Sequence, residues 1–413
     1  MSTQVPIIAI LTADWHLCHN AWRHRPEIFG DALCAAEQVA SYAKKFGSSI
    51  IAAGDIFDST RPSSQLLGDL RKILHGSTGY YINGNHDKVS PSWMTLIDTG
   101  TVEGRTFWYD VGAECFPLHC RTMIDPEKTG FLQEHPGWSA DGRQWWVYGV
   151  NHVETREKLQ ECLDNIERHL SDEQNNLLVL HQGTEGLIPK MSAELFDGMI
   201  PDDIDMVLCG HTHISSIMSI KTKGGREIPV VSPGSLHLCS IDEKRKKKLY
   251  FLGADGSIWS APLISRRVIT ANFIGGTESE IREETLKIVA SLQQGRLRPV
   301  VIQTPIIRVI YDGTTAPKMR TIFETALRDA EGKAHVFYTN RAEKVANDLE
   351  TIVEDGMDSS FVTSSFDYAK ATFQSLETDK KVRRIVETML ESQPSQETYT
   401  LLKEKFSNRK RGK

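Results

Sequence analysis

The sequence predicts a layered α/β protein, and two observations predict it. Short apolar runs recur along the chain, each ending in polar residues, and helix-periodic segments lie between them. Such runs read as buried strands, and strands alternating with helices read as an α/β layered domain.

In chain order, the first strand is expected over 7–13 (IIAILTA), ending in Asp14. The next covers 49–53 (SIIAA) and runs into Gly54-Asp55, and Tyr80–Ile82 leads into Asn83-Gly84-Asn85. Residues 145–150 (WWVYGV), 177–180 (LLVL), 205–209 (DMVLC) and the strand-like LYFL at 249–252 repeat the habit. Leu159, Leu163, Ile166 and Leu170 space as one helix face within 154–170, and similar faces mark 31–46 and 64–75. After about residue 265 the pattern shifts. Strands at 305–311 and 335–338 flank a helix at 316–331, a small βαβ-like unit, and 344–364 is acidic and carries no assignment. A helix is expected over 366–391, with Pro394 breaking it, then a short helix near 396–406 and a basic tail.

Composition narrows the class. The 413 residues carry 48 Lys+Arg against 54 Asp+Glu, a net charge of −6, which argues against an overall basic nucleic-acid binder but leaves room for local patches. No apolar run approaches the roughly 18–20 residues that span a bilayer, and no basic segment precedes Ile7–Leu11, so no secretory leader is expected. Seven scattered cysteines without a CxxC pair read as reduced thiols in a cytoplasmic compartment. Cys209 is expected in a strand core. Thirteen of the 14 histidines fall at or before His237, so the chemistry is expected in the first 240 residues.

The polar residues at the strand ends are Asp14-x-His16, Gly54-Asp55-Ile56-Phe57-Asp58, Gly84-Asn85-His86-Asp87, His181, and Gly210-His211-Thr212-His213. Ligands of open α/β sheets bind beyond the carboxyl ends of strands, so these groups are expected at a common edge. Period-two alternation would place Asp14 with His16, and His211 with His213, on one side. Imidazole, carboxylate and amide oxygen form a mixed N/O set that suits Mn, Fe or Zn. Asp55 could bridge two ions, and ions about 3.5–4 Å apart stabilise both attacking and leaving oxygens of a phosphoryl displacement.

Five blocks in this order resemble the calcineurin-like metallophosphoesterase superfamily (DxH, GDxxD, GNH[DE], a lone His, GHxH), over roughly residues 7–240. Gly54–Ser63 (GDIFDSTRPS), Ser232–Leu236 (SPGSL) and Ser240–Glu243 resemble more narrowly the SbcD nuclease family, including the meiotic recombination eleven type. The resemblance implies a layered β-sandwich flanked by helices (1–265), a small α/β capping domain that binds DNA (266–345), and a C-terminal helical segment that grips an ATPase (346–413). It implies that Asp14, His16 and His213 hold one ion, that Asn85, His181 and His211 hold a second, and that Asp55 bridges. His86 would be the histidine that protonates the leaving 3′-oxygen, work that suits imidazole. Asp58 stands where some members carry His; it could orient or charge His86, and Asp87 could fix the surrounding geometry.

The implied activity is a 3′-to-5′ double-strand exonuclease and a single-strand or hairpin endonuclease, serving recombination and double-strand break repair. The implied cofactors are two divalent ions, Mn2+ or alternatively Mg2+. The implied partners are DNA and an SbcC-type, SMC-like coiled-coil ATPase, in a heterotetramer built on a homodimer, with no membrane. The location would be the nucleoid-associated cytoplasm, or the host cytoplasm for a phage protein.

His19, Arg61, Lys244, Arg245 and Lys246 are the candidate DNA contacts. For the run Lys244–Lys248 a solvated turn competes with a phosphate-contacting loop. His19 and His24 either line a DNA groove or pack locally, and the tail is either a free end or a DNA arm. The 366–391 stripe docks either within the chain or on a partner. Two other functions fit the same ligands: a phosphoesterase for small phosphodiesters or phosphoproteins, and a non-catalytic scaffold.

Overall fold

A computed structural model describes residues 5–19, 28–87, 92–96, 107–112, 116–117, 119–123, 132–136, 143–189, 192–241, 243, 246–273, 277–293, 304–311, 316–329 and 334–340. These residues divide into two compact units at 268/269, with 304–305 belonging to the first. The segment 346–413, with its expected helices and basic tail, lies outside the described residues, as do His24, Lys244 and Arg245.

Twelve of the strands build two six-stranded sheets. One contains β1 (Ile7–Thr12), β2 (Ser49–Ala53), β3 (Thr78–Ile82), β4 (Phe107–Asp110), β13 (Lys248–Gly253) and β14 (Ile258–Pro262), in the order β14-β13-β1-β2-β3-β4. The other contains β5 (Phe116–Pro117), β8 (Trp145–Val150), β9 (Asn175–Leu180), β10 (Met206–Cys209), β11 (Ser216–Lys221) and β12 (Glu227–Ser232), in the order β11-β12-β10-β9-β8-β5. β6 (His119–Met123) and β7 (Leu132–Pro136) pair as a separate antiparallel ribbon.

Side-chain alternation explains why the central runs are apolar throughout. Ala9, Leu11, Ile51, Ala53, Tyr80 and Ile82 of the first sheet share a core with Val147, Leu177, Val179, Met206 and Leu208 of the second. The alternate residues Ile10, Ile50, Ala52 and Tyr81 face α1 (Asp31–Phe46) and α2 (Ser64–Ile73). On the far side, Leu178, Leu180, Val207 and Cys209 pack with Leu159 and Leu163 of α3 (Arg156–Glu167). The first unit is therefore a sandwich of two sheets with helices on both outer faces, and its inner strands lose the polar alternation because both faces are dry.

Helix ends follow local chemistry. Ser63 caps α2 by accepting Leu66 N–H (3.2 Å), and Thr155 caps α3 by accepting Lys158 N–H (3.3 Å). Pro62-Ser63, one mark of the narrower resemblance, thus starts a helix.

The second unit has a three-stranded sheet, β15 (Val268–Phe273), β16 (Ile306–Tyr311) and β17 (His335–Asn340), in the order β15-β16-β17. β16 and β17 pair in parallel, as the βαβ expectation requires, with α5 (Ala316–Asp329) between them in sequence. A second helix, α4 (Glu278–Gln293), was not expected, and its Ile281, Ile288 and Val289 join Phe323, Ile307 and Val309 in the core. Among the described residues, no helix is long and apolar enough to cross a membrane.

Candidate metal centre

The candidate residues meet where the parallel strands of both sheets end. β1 delivers Asp14 and His16, β2 delivers Asp55 and Asp58, and β3 delivers Asn85, His86 and Asp87; β9 and β10 deliver His181, His211 and His213. The edge is shared by two sheets and not by one.

The strand-alternation rule does not hold these pairs. β1 stops at Thr12 and β10 at Cys209, so Asp14, His16, His211 and His213 sit in loops. The non-glycine residues with positive φ among the described ones are Asp14 (48°), His16 (40°), Asp55 (49°), His211 (86°) and His213 (53°). A left-handed backbone is costly for such side chains and collects at functional sites. Here it turns short loops sharply enough to aim all five inward. Main-chain bonds fasten the turns together: Asp14 N–H donates to Gly54 O (3.1 Å) and His16 N–H to Asp55 O (2.9 Å).

Neighbouring glycines leave room. A Cβ on Gly54 would lie 2.4 Å from His181 Nδ1, one on Gly84 would lie 2.0 Å from Asp55 Oδ1, and one on Gly210 would lie 2.2 Å from Ala53 O.

The donor atoms converge in two overlapping groups. His16 Nε2 lies 2.9 Å from His213 Nε2 and 3.6 Å from Asp55 Oδ2, and His213 Nε2 lies 3.7 Å from Asp14 Oδ1. His181 Nε2 lies 3.2 Å from both Asp55 Oδ2 and Asn85 Oδ1, and His211 Nδ1 lies 3.2 Å from Asn85 Oδ1. Asp55 reaches both groups. Asp14, Asp55 and His181 form one possible ion-holding cluster, and His16, Asp55 and His86 form another. The buried Asp14 Oδ2 has no hydrogen-bond partner among the described residues. Lone pairs this close, with an unpartnered buried carboxylate oxygen, fit a cation better than they fit each other.

Electrostatics follow the same geometry. Burial opposes the charge on Asp55, but the hydrogen bond and charge of His181, with His16 behind, hold its carboxyl well below the usual carboxylate range. Burial also opposes a charged His181, yet its hydrogen bond to Asp55, with the charges of Asp55 and Asp14, pushes it up to about 9. Burial and the charges of His181 and His152 drive His211 down to about 4.

The remaining candidates are placed as follows. His86 donates its main-chain N–H to Asp55 Oδ1 (2.9 Å), and its ring meets that of His16 edge-on at 4.9 Å. Its Nδ1 lies 3.4 Å from the main-chain carbonyl of Asp58. The Asp58 carboxylate lies 3.4 Å from His16 Nδ1. Buried Asp87 accepts Ile56 N–H and Gly84 N–H, both at 2.6 Å, and so pins the second block to the third. His19 stands apart, with Nε2 3.5 Å from Asp69 Oδ2 and its ring stacked on Phe29. Arg61 and Lys246 are exposed. Lys247, read as part of a solvated or phosphate-contacting run, is buried and ion-paired with Glu243 at 2.7 Å.

Two residues near the centre escaped the sequence reading. His152 lies with its ring 5.5 Å from that of His211, and it follows β8 as the other blocks follow their strands, a signal that could have found it. Glu243 accepts from His213 Nδ1 at 2.8 Å; its segment was noted in the sequence only as a resemblance.

A helix-flanked double sheet with an N/O donor cluster at its strand ends fits a metal-dependent phosphoesterase. A comparison with protein families matches residues 8–252 to the one described as "Calcineurin-like phosphoesterase superfamily domain". The match covers more than half of the chain, and the chain belongs to that superfamily, whose members use divalent metal ions.

Proposed function

We propose that this protein is a metal-dependent DNA nuclease of the SbcD type, cutting DNA ends with an SbcC-type ATPase in recombination and double-strand break repair. The observation that carries this reading is the convergence of the expected donors in two groups that meet at Asp55, which His16 and His181 face directly, with His86 beside it. Asp14, His16 and His213 would hold one ion, and Asn85, His181 and His211 the other, with Asp55 available to both. The donor set suits Mn, Fe or Zn, and the resemblance to the SbcD family favours Mn2+, with Mg2+ as the alternative. When bound, two such ions supply Lewis-acid charge at the scissile phosphoryl group and an acidified water.

The chain's own residues do the rest. His181 Nδ1 donates to Ala53 O (2.8 Å), which fixes the tautomer and turns Nε2 toward Asp55. His86 Nδ1 faces the Asp58 carbonyl, which leaves Nε2 to give a proton to the departing 3′-oxygen. Arg61 and Lys246, both exposed, are cations for the DNA backbone.

The test is Mn2+-dependent cleavage of end-labelled linear duplex by the full chain, with and without a co-expressed coiled-coil ATPase, set against a small phosphodiester. Cleavage of duplex but not of the diester is expected, and His86→Ala is expected to keep Mn2+ binding while losing cleavage. Efficient turnover of the small diester with intact duplex would replace the nuclease with a small-substrate enzyme.

A further inference from the structure

The segment from Gly234 to Lys247 touches three of the residues assigned to one ion. Leu236 N–H donates to Asp14 O (3.4 Å). His237, fully enclosed, places Nε2 3.1 Å from Trp15 O and 3.4 Å from His16 O. A Cβ on Gly234 (φ 69°) would lie 2.8 Å from His213 O, so the turn and the His213 loop are in direct apposition. Glu243 then grips the His213 ring itself, its Oε1 accepting from Nδ1 at 2.8 Å.

Glu243 is in turn held from several sides. Its Oε2 accepts from Ser235 Oγ (2.9 Å), Lys247 Nζ (2.7 Å) and Cys239 N–H (3.2 Å). Lys247, just ahead of β13, also donates to Ser235 Oγ at 2.6 Å, and it is only 4% exposed. A carboxylate bound by this many donors has little freedom, and the imidazole it grips is left with Nε2 facing Asp14 and His16. Of the residues assigned to the second ion, His181 is oriented differently, by a main-chain carbonyl.

We propose that Glu243 is the positioning residue of the first ion site, fixing the tautomer and ring angle of His213, and that Lys247 and Ser235 hold Glu243 for that task. A carboxylate behind a metal-bound histidine raises its basicity and fixes its orientation, and losing such a partner typically costs about 10–100-fold in metal affinity. The inference rests on the metal-centre reading above.

The experiment is calorimetric titration of the metal-stripped full chain with MnCl2, for wild type, Glu243→Gln and Glu243→Ala, together with visible spectra of the Co2+-loaded forms. Wild type is expected to show two binding events. Glu243→Ala is expected to weaken one of them by about 10–100-fold and leave the other within about twofold. Glu243→Gln, which keeps an acceptor oxygen but no charge, is expected to fall between. The Co2+ absorption bands should shift in Glu243→Ala, as they follow the geometry at His213. If circular dichroism shows Glu243→Ala unfolded, Lys247→Met is read in its place, with a several-fold loss expected in the same event. Wild-type isotherms in the folded variant, or equal loss in both events, would overturn the proposal alone. A wild type that binds no Mn2+ would overturn it together with the metal-centre reading.

Discussion

Metal uptake should be coupled to a proton at His181. In the metal-free protein this histidine is raised to about 9 because its Nε2 lies 3.2 Å from Asp55 Oδ2, with Asp14 adding negative charge, and these outweigh its burial. At pH 7 it is therefore protonated, and an ion taking Nε2 must displace that proton. His211, lowered to about 4, is already neutral and adds nothing. Below the His181 value of about 9 the apparent affinity of the site that includes it should thus rise about tenfold per pH unit, and it should stand roughly 50-fold lower at pH 7 than at pH 9. Titration with MnCl2 at pH 6, 7 and 8, in buffers of low and high ionisation enthalpy, counts the protons released; His181 should contribute close to one, and His213, lowered by burial but raised by Glu243 and Asp14, should add to the count. The same group makes a stability prediction. Its folded pKa lies above the ordinary 6.5, so its stabilisation is complete below that value and is lost as pH rises toward about 9. The shift corresponds to on the order of 3 kcal/mol for this enclosed group. The metal-free protein should therefore lose stability across that window, beyond what its other groups contribute. Metal affinity that does not change from pH 6 to 8, with no proton released, would refute the reasoning.

Other perturbations separate packing from chemistry. Gly84→Ala puts a methyl group 2.0 Å from Asp55 Oδ1 and 2.4 Å from Asp55 N, so it should displace the Asp55 carboxylate and weaken metal binding, read by titration. Asp87→Asn exchanges one of two acceptors, facing Ile56 N–H and Gly84 N–H, for an amide donor. It should cost about 1–3 kcal/mol in urea denaturation. Asp31→Ala should cost about 3–5 kcal/mol in the same measurement. It strands the buried Arg266, whose Nε lies 3.0 Å and 3.1 Å from the two Asp31 oxygens.

The sequence made the inner strands and the donor blocks legible for one physical reason: a strand buried on both faces becomes an unbroken apolar run, and its polar end stands out. The same dryness concealed the second sheet, since runs without alternation do not say how many sheets they join. The edge strand β11 alternates exposed residues with half-buried or buried ones, but as Ser-Ile-Met-Ser-Ile-Lys it has its Ile217 turned outward. In α4 the buried positions are Ile281, Thr285, Ile288 and Val289, and the threonine leaves a gap in the apolar stripe. Its hydroxyl is satisfied by Ile281 O at 2.6 Å. A start signal was nonetheless present: Thr277 and Glu280 form a reciprocal cap, with Thr277 N–H donating to Glu280 Oε2 at 2.7 Å and Glu280 N–H to Thr277 Oγ1 at 3.4 Å. Glu243 and Lys247 were hidden by their neighbours, because a carboxylate before KRKKK reads as surface charge until the fold buries it.

The pairs Asp14/His16 and His211/His213 reach the same strand-end edge by a mechanism other than strand alternation. In a strand, residues two apart share a face at no cost. Here they share a focus through left-handed backbone at Asp14, His16, Asp55, His211 and His213, each costing on the order of 1–3 kcal/mol. That strain is tolerable only because the loops hang from fully buried strands and are bonded to one another, as Asp14 and His16 are to Gly54 and Asp55. A cation that neutralises the converging lone pairs acts on a geometry already formed, with little left to reorganise. Metal binding should therefore raise the melting temperature without changing the far-ultraviolet circular dichroism. At a hundredfold excess over Kd the gain is about 2.7 kcal/mol per ion. A spectrum that gained helix or strand signal on metal addition would mean instead that the loops form only around the ion.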